Sequence, residues 1–243
     1  GLLRDFSQDS NVFRVYLEVL KKMTLRGYFD DRLRDLQSQI VRMASVSNEM
    51  IERAIEAATT GNVSRAQEVI HQDDHVDDLE QKVIRETVLL VMREMPVARD
   101  LRVLTSTLGV IGEIEKIADD AVKLARRSIT LGNRFPGELR TSLIEMGVAS
   151  RRSLANATKL YTEYEPELAQ TVIADDDTID TLYTLACARI VDLMRQDPDR
   201  IEDYLSTMQM FHALEHIADR SVAVAKRLRL HYENFESDGV SDS

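Results

Sequence analysis

An internal duplication constrains the fold of this chain more than any other feature. The segment Val69–Asp77 lines up with Val172–Asp180 at an offset of 103 residues. Further along, Glu115–Asp119 lines up with Glu215–Asp219 at an offset of 100 residues. The order of the matching segments is kept and the offsets drift by only a few residues. We therefore interpret the chain as a tandem repeat of one unit of about 100 residues.

Each unit is predicted to be helical throughout. Apolar residues recur at a spacing near 3.6, as at Leu36, Ile40 and Met43, which is typical of amphipathic α-helices. The 243 residues include no Trp, 9 Gly and 4 Pro, a composition that disfavours a turn-rich β-sheet fold. Breaks at Gly61 and Pro96 separate the first helices. The predicted helices span residues 29–60, 64–94, 97–130, 138–162, 166–196 and 200–233.

Three long helices with short connections form an antiparallel bundle. We therefore predict an all-α fold, a tandem repeat of two antiparallel three-helix bundles with six long helices. The first unit is predicted to span residues 28–132 and the second residues 137–235. Residues 1–27 are predicted to be an N-terminal extension, either artificial in origin or a fused helix, and residues 236–243 a disordered tail.

Charge and cysteine content exclude several classes of function. With 31 basic and 42 acidic residues the net charge is −11, so we expect no nucleic-acid partner. Cys187 is the single cysteine and cannot form an internal disulfide, which indicates a reducing compartment and predicts a cytoplasmic protein. The apolar runs are too short to span a bilayer, so no direct membrane insertion is expected.

Acidic residues recur most clearly in the two units. Each unit has Asp-Asp-x-(Val/Ile)-Asp on its second helix and Glu-x-x-x-Asp on its third, and residues four apart share a helix face. Glu115 and Glu215 lie within apolar stripes, where a carboxylate is costly unless it is paired, protonated or metal-bound. Side-by-side packing of these helices would gather four carboxylates in each unit, an oxygen-only set that suits Mg²⁺, Mn²⁺, Ca²⁺ or oxidised iron. The candidate metal ligands are Asp73, Asp77, Glu115, Asp119, Asp176, Asp180, Glu215 and Asp219.

Other interpretations of these residues remain open. A solvated acidic face, with its carboxylates paired to Lys or Arg, explains the same pattern without a metal. Glu68-x-x-His71 matches an element of ferritin-like di-iron sites, but Ala174 stands at the aligned position of the second unit. We recognise no nucleophile elbow, Walker loop, dinucleotide-binding loop or zinc-protease helix, and Cys187 is interpreted as a small core residue. These absences leave no catalytic motif on which an enzymatic mechanism could be built.

The sequence resembles the PhoU family of phosphate-signalling regulators over almost all of residues 28–235. Pro96-x-x-x-Asp100-Leu101-Arg102, followed by Glu115–Asp119, is similar to the family pattern Pro-x-x-x-Asp-Leu-Arg … Glu-Arg-Ile-Gly-Asp. Glu215–Asp219 is the second copy of the acidic motif. The resemblance implies the same duplicated three-helix fold, and it implies that metal clusters bind through the repeated acidic motifs.

The resemblance also implies a function. Members of this family are cytoplasmic, non-enzymatic regulators of phosphate uptake and phosphate-starvation signalling, and many form homodimers. Its implied partners are a PstB-type transporter ATPase and a PhoR-type sensor histidine kinase. Two alternatives stay open: a metal-storage or metal-sensing helical protein, and a PhoU-like regulator of a different transporter or of transcription.

The sequence departs from the family pattern at a few positions. Ala118 and Ala218 replace the motif glycine, which a helix should tolerate. Lys123 and Ala223 stand where the family often has Asn. Lys123 is predicted to pair with Asp119 at i,i+4 and to neutralise it without a metal. The basic residues that are expected to act in the same way are Arg126, Arg127, Lys226 and Arg227.

Overall fold

The computed structural model describes the backbone of residues 10–238 and the side chains of residues 27–97 and 100–233. Six long helices account for most of the described chain, as predicted. The helices are α1 Ser10–Thr60, α2 Val63–Glu94, α3 Ala98–Leu131, α4 Arg140–Thr162, α5 Pro166–Gln196 and α6 Ile201–Asp238. Short 3₁₀ turns precede α4 and α6.

Local sequence signals fix most helix ends. Gly61 has a φ of +70° and lets the chain turn out of α1. Asn62 then caps α2, because its side-chain Oδ1 accepts a hydrogen bond from the Arg65 backbone N–H at 3.1 Å. At the other end of α2, Met95 adopts a left-handed conformation with φ 44°. This conformation ends the helix immediately before Pro96, which disfavours a helical preceding residue.

The first helix begins earlier than the periodicity predicts. α1 starts at Ser10 and crosses the predicted boundary at residue 28 without a break. Gly27 lies within it, and one glycine costs a helix only about 1 kcal/mol relative to alanine, too little to end it. The origin of residues 1–27 stays a prediction, and residues 1–9 lie outside the described part. Similarly, α6 continues to Asp238, and the rest of the predicted tail lies outside the described residues.

The two bundles share one apolar core. Within each unit every helix packs against the other two, and between units α3 packs along α6 while α1 packs against α4. Ile117 and Ile217, which are equivalent in the two repeats, are both fully buried. The motif positions Ala118 and Ala218 are buried as well, so alanine is accommodated where the family pattern has glycine. α2 and α5 therefore form the two outer layers, each closing its own bundle.

No helix within the described range is long and apolar enough to cross a membrane.

Candidate functional site

The first unit gathers five carboxylates between α2 and α3. Four of them were predicted from their spacing: Asp73 and Asp77 on α2, and Glu115 and Asp119 on α3. The fifth is Glu80, one turn beyond Asp77 on α2, and it interacts with both Asp77 and Glu115. The expected convergence of the two acidic motifs is therefore present in this unit.

Burial and mutual repulsion perturb this cluster strongly. Burial raises the pKa of Asp73 to about 6, and the negative charges of Asp77 and Asp119 add to that rise. Arg126 opposes it, as predicted for the basic residues that follow the motif. Burial, followed by repulsion from Asp119, also raises the pKa values of Asp77 and Glu115. Such a cluster favours a proton or a cation over the fully ionised, empty state.

Sequence reasoning missed Glu80. Burial raises its pKa, Asp77 raises it further, and Lys116 lowers it. The i,i+3 spacing from Asp77 was the available signal, because residues three apart share a helix face. The repeat did not reveal it, because Tyr183 stands at the equivalent position of the second unit.

The second unit assembles a smaller carboxylate set. Burial raises the pKa of Asp176, and Asp219 and Asp180 raise it further, whereas Lys226 lowers it. Oδ1 of Asp176 is buried and finds no hydrogen-bond partner among the described residues. A buried carboxylate oxygen without a donor is costly, so this set also favours an added proton or cation.

Glu215 faces a different group of side chains, on its own helix. Its Oε2 lies 3.2 Å from Nδ1 of His212 and 3.9 Å from Nε2 of His216. The two imidazole rings are 3.9 Å apart between centroids. Tyr183 of α5 stacks on His212 at 6.0 Å, which places an aromatic wall beside the histidines. Glu215 therefore belongs to a carboxylate–imidazole cluster, and its predicted grouping with Asp176 and Asp180 stays a prediction.

The sequence analysis overlooked this cluster. His212-x-x-Glu215-His216 has the spacing of the reversed zinc-protease helix motif, so the statement that no such motif is present was wrong. A comparison of the two repeats does not reveal the cluster, because Gly112 and Lys116 stand at the equivalent positions of the first unit. The i,i+4 histidine pair was the signal that could have found it.

The prediction for Lys123 was wrong in its partner. Its Nζ donates to Oδ1 of Asp120 at 2.7 Å, and not to Asp119. Asp120 is fully buried and also accepts a hydrogen bond from Nε of Arg220 at 2.9 Å. A buried carboxylate gains more from a cation than an exposed one does, so Asp120 takes the lysine. Asp119 consequently stays available to the carboxylate cluster.

The remaining sequence candidates form no site. His71 and His75 are exposed, and Nδ1 of His71 lies 2.7 Å from the backbone oxygen of Gln67. Glu68 of the di-iron element forms an ion pair with Arg65 at 3.3 Å. Cys187 is half-buried and shares a hydrogen bond with Tyr183, whose pKa is raised to about 12, first by burial.

Comparison with known proteins decides the family. The model of the PhoU domain matches the chain twice, at residues 40–128 and 143–228. The chain belongs to the PhoU family. Each PhoU domain contains one copy of both acidic motifs, which agrees with the resemblance drawn from the sequence.

Accessory proteins of phosphate-specific transport are similar to this chain over most of their length. A phosphate-specific transport system accessory protein PhoU homolog of Xylella fastidiosa strain Temecula1 is 28% identical over 200 residues, covering 82% of this chain and 83% of that protein. The homolog of the same name from Clostridium acetobutylicum is 25% identical over 202 residues, covering 83% and 92%.

Solved structures agree with the duplicated fold. The crystal structure of PhoU from Pseudomonas aeruginosa superimposes with a TM-score of 0.81 at 26% identity, covering 85% of this chain and 99% of that one. The phosphate transport system regulatory protein PhoU from Streptococcus pneumoniae gives a TM-score of 0.78 at 20% identity, covering 84% of this chain and 96% of that one. At this level of identity, the similarity supports the fold alone. The all-helical fold with two PhoU domains is thus confirmed.

Proposed function

We propose that this chain regulates phosphate uptake and phosphate-starvation signalling by binding protein partners. The observation that carries the proposal is the pair of PhoU domains, which together cover most of the chain. The proposed partners are a PstB-type ATPase of the phosphate transporter and a PhoR-type histidine kinase, and the proposed location is the cytoplasm. The named relatives are accessory proteins of phosphate-specific transport, which supports this assignment.

The proposed mechanism is a shift of population and involves no catalytic turnover. A regulator that binds one state of a kinase or transporter more tightly than another shifts that partner toward the favoured state. We propose no enzymatic activity and a homodimeric assembly, as the family resemblance implies. The net charge of −11 disfavours a nucleic-acid partner and leaves protein partners as the proposed ligands.

Exposed apolar residues near the family motif support a protein partner. Around the α2–α3 connection, side chains of Met92, Met95 and Val97 are exposed, with Met95 84% accessible. Leu101, from the Asp100-Leu101-Arg102 motif, is exposed beside them in sequence. Clustered apolar side chains at a surface are typical of interaction sites.

We further propose that the carboxylate clusters bind hard cations, divalent ions or iron. The residues fit such a group for two reasons. Burial and nearby negative charges raise the pKa of Asp73, and Oδ1 of Asp176 is buried without a hydrogen-bond donor. The ligands in the first unit would be Asp73, Asp77, Glu80, Glu115 and Asp119. Those in the second would be Asp176, Asp180 and Asp219. A bound cation would neutralise each cluster and tie α2 to α3, and α5 to α6.

A genetic experiment tests the regulatory role. Cells that lack this chain and carry a phosphate-starvation reporter are grown with abundant phosphate. We expect the reporter to switch on in the deletion strain and to switch off again when the wild-type chain is restored. A reporter that stays off in the deletion strain, and that responds normally to phosphate depletion, would contradict the proposed function.

A further inference from the structure

We propose that His212, Glu215 and His216 form a binding site for one borderline divalent transition-metal ion of the Zn²⁺ class. The three side chains lie on one face of α6, and one ligand atom from each lies within 4.8 Å of the others. The site is separate in chemistry from the oxygen-only clusters, because two of its three ligands are imidazoles. Imidazole favours zinc, copper, nickel and iron over magnesium and calcium.

The observed distances are close to those that a bound ion requires. Ligand atoms about 2.1 Å from a tetrahedral zinc ion lie about 3.4 Å from one another. Oε2 of Glu215 is 3.2 Å from Nδ1 of His212 and 3.9 Å from Nε2 of His216. All three ligand atoms lie within 4.8 Å of one another, so side-chain rotations that shorten the longer distances would complete the three-ligand arrangement.

The burial of Glu215 provides an independent argument. Its side chain is 19% exposed, and its Oε2 is buried and without a hydrogen-bond partner in the described structure. A carboxyl oxygen that is shielded from water and accepts no hydrogen bond is costly. Because the same oxygen is the one that faces both histidines, a cation between the three side chains would remove that cost.

The surroundings suit a site with an open position. His212 is half exposed and His216 is 39% exposed, so a metal ion reaches them from solvent. Tyr183 stacks on His212 at 6.0 Å and borders the site on one side. Three protein ligands leave a fourth position for water or for a ligand from a partner protein.

Only the second unit can form this site. Gly112 and Lys116 replace the two histidines in the first repeat, and neither side chain supplies an imidazole ligand. The proposal therefore adds a transition-metal site to the second unit, beside the oxygen-only cluster proposed there, and gives the first unit no counterpart.

The test measures zinc stoichiometry on the full chain after a chelator has removed bound metal. Zn²⁺ is titrated by calorimetry into the wild type, His212→Gln and His216→Gln. His75→Gln is the matched control, since His75 is an exposed helical histidine of the other repeat, paired at i,i+4 with His71. We expect each α6 variant to bind one Zn²⁺ fewer per chain than the wild type and the control.

Two further measurements distinguish the histidine site from the nearby carboxylate cluster. Asp219→Asn is expected to keep the zinc that the histidine variants lose. Wild-type protein loaded with Co²⁺ is expected to show the visible absorption of a nitrogen-ligated, four-coordinate ion, a readout that needs no variant. Equal zinc binding by the wild type and both histidine variants would overturn the proposal. Loss of zinc in Asp219→Asn with retention in the histidine variants would overturn it too, because the carboxylates alone would then be the site.

Discussion

Nε of Arg220 donates a hydrogen bond to Oδ2 of Asp120 at 2.9 Å, and the two residues occupy equivalent positions of the two repeats. Arg220 also lies 3.6 Å from Glu113, and Lys123 pairs with the other oxygen of Asp120. Because Asp120 is on α3 and Arg220 is on α6, the pair crosses the boundary between the two bundles. Equivalent positions of the two repeats thus carry opposite charges, and the ion pair between them links the two bundles.

Loss of this link should destabilise the whole chain. Arg220→Met leaves the fully buried Asp120 with Lys123 as its remaining cation, and we expect a loss of about 3 kcal/mol in the free energy of unfolding. Urea unfolding monitored by circular dichroism measures it. Arg195→Met is the control, because Arg195 is exposed and pairs only locally with Asp192, and it should cost less than about 0.5 kcal/mol. An Arg220→Met variant as stable as the control would contradict the role assigned to the pair.

The turn between α1 and α2 should tolerate no side chain. Gly61 has a φ of +70°, and a Cβ there would collide with Oδ1 of Asn133. Gly61→Ala is therefore expected to cost about 1–2 kcal/mol. Gly112, inside α3, offers the matched control: a Cβ there meets nothing within 4 Å, and Gly112→Ala should stabilise by about 0.5–1 kcal/mol. Thermal unfolding of both variants checks the opposite signs, and equal shifts in Tm would refute the explanation.

The acidic cluster predicts a pH dependence of stability in the metal-free chain. The pKa of Asp73 is raised from 3.8 to about 6 in the folded state, so folding favours its protonated form. Its contribution to stability is fully present below pH ~4 and is lost as the pH rises to about 6. Asp73→Asn should therefore stabilise the metal-free protein at pH 7 by about 1 kcal/mol, after allowance for solvent screening, and by little at pH 4.

Urea unfolding of the wild type and Asp73→Asn at both pH values measures that difference. Asp78→Asn is the control, because Asp78 is exposed on the same helix. A gain of the same size at pH 4 and pH 7 would show that charge repulsion at Asp73 is not its origin.

Hard-cation binding by the first unit depends on Glu115. Removal of its charge by Glu115→Gln takes away one of five clustered carboxylates, and we expect a loss of at least tenfold in Mn²⁺ affinity. Elemental analysis after dialysis against Mn²⁺, together with calorimetry, gives stoichiometry and affinity. Unchanged Mn²⁺ binding in the variant, with Asp78→Asn as the reference, would mean that the first cluster is only a repelling acidic surface.

The helices and their duplication could be predicted because both produce clear patterns in the sequence. Periods of 3.6 residues, a Gly-Asn turn and the prolines Pro96 and Pro166 set five helix starts or ends to within a few residues. The start of α1 could not be predicted, because Gly27 resembles a break and the helix passes through it. The stability of a helix is the sum of contributions from many residues, so one glycine does not end it.

The carboxylate site was only partly predictable, because the residues that form it come from different helices. Spacing placed Asp73 and Asp77, and also Glu115 and Asp119, on shared faces, and the structure brings the two faces together. Spacing could not tell that Lys123 would turn to Asp120, since that choice depends on the burial of Asp120 beneath α6. Glu80 and the histidines of α6 have no counterparts in the other repeat, so a comparison of the repeats could not predict them.

Direct binding to the proposed partners tests the central claim. The purified chain is mixed in turn with the purified PstB-type ATPase and with the cytoplasmic part of the PhoR-type kinase from the same cell, and complexes are measured by calorimetry and size-exclusion chromatography. We predict a stoichiometric complex with at least one of them, which Met95→Glu, at the exposed apolar surface after α2, weakens at least tenfold. Absence of binding to both partners, under conditions in which the chain is folded, would contradict the account.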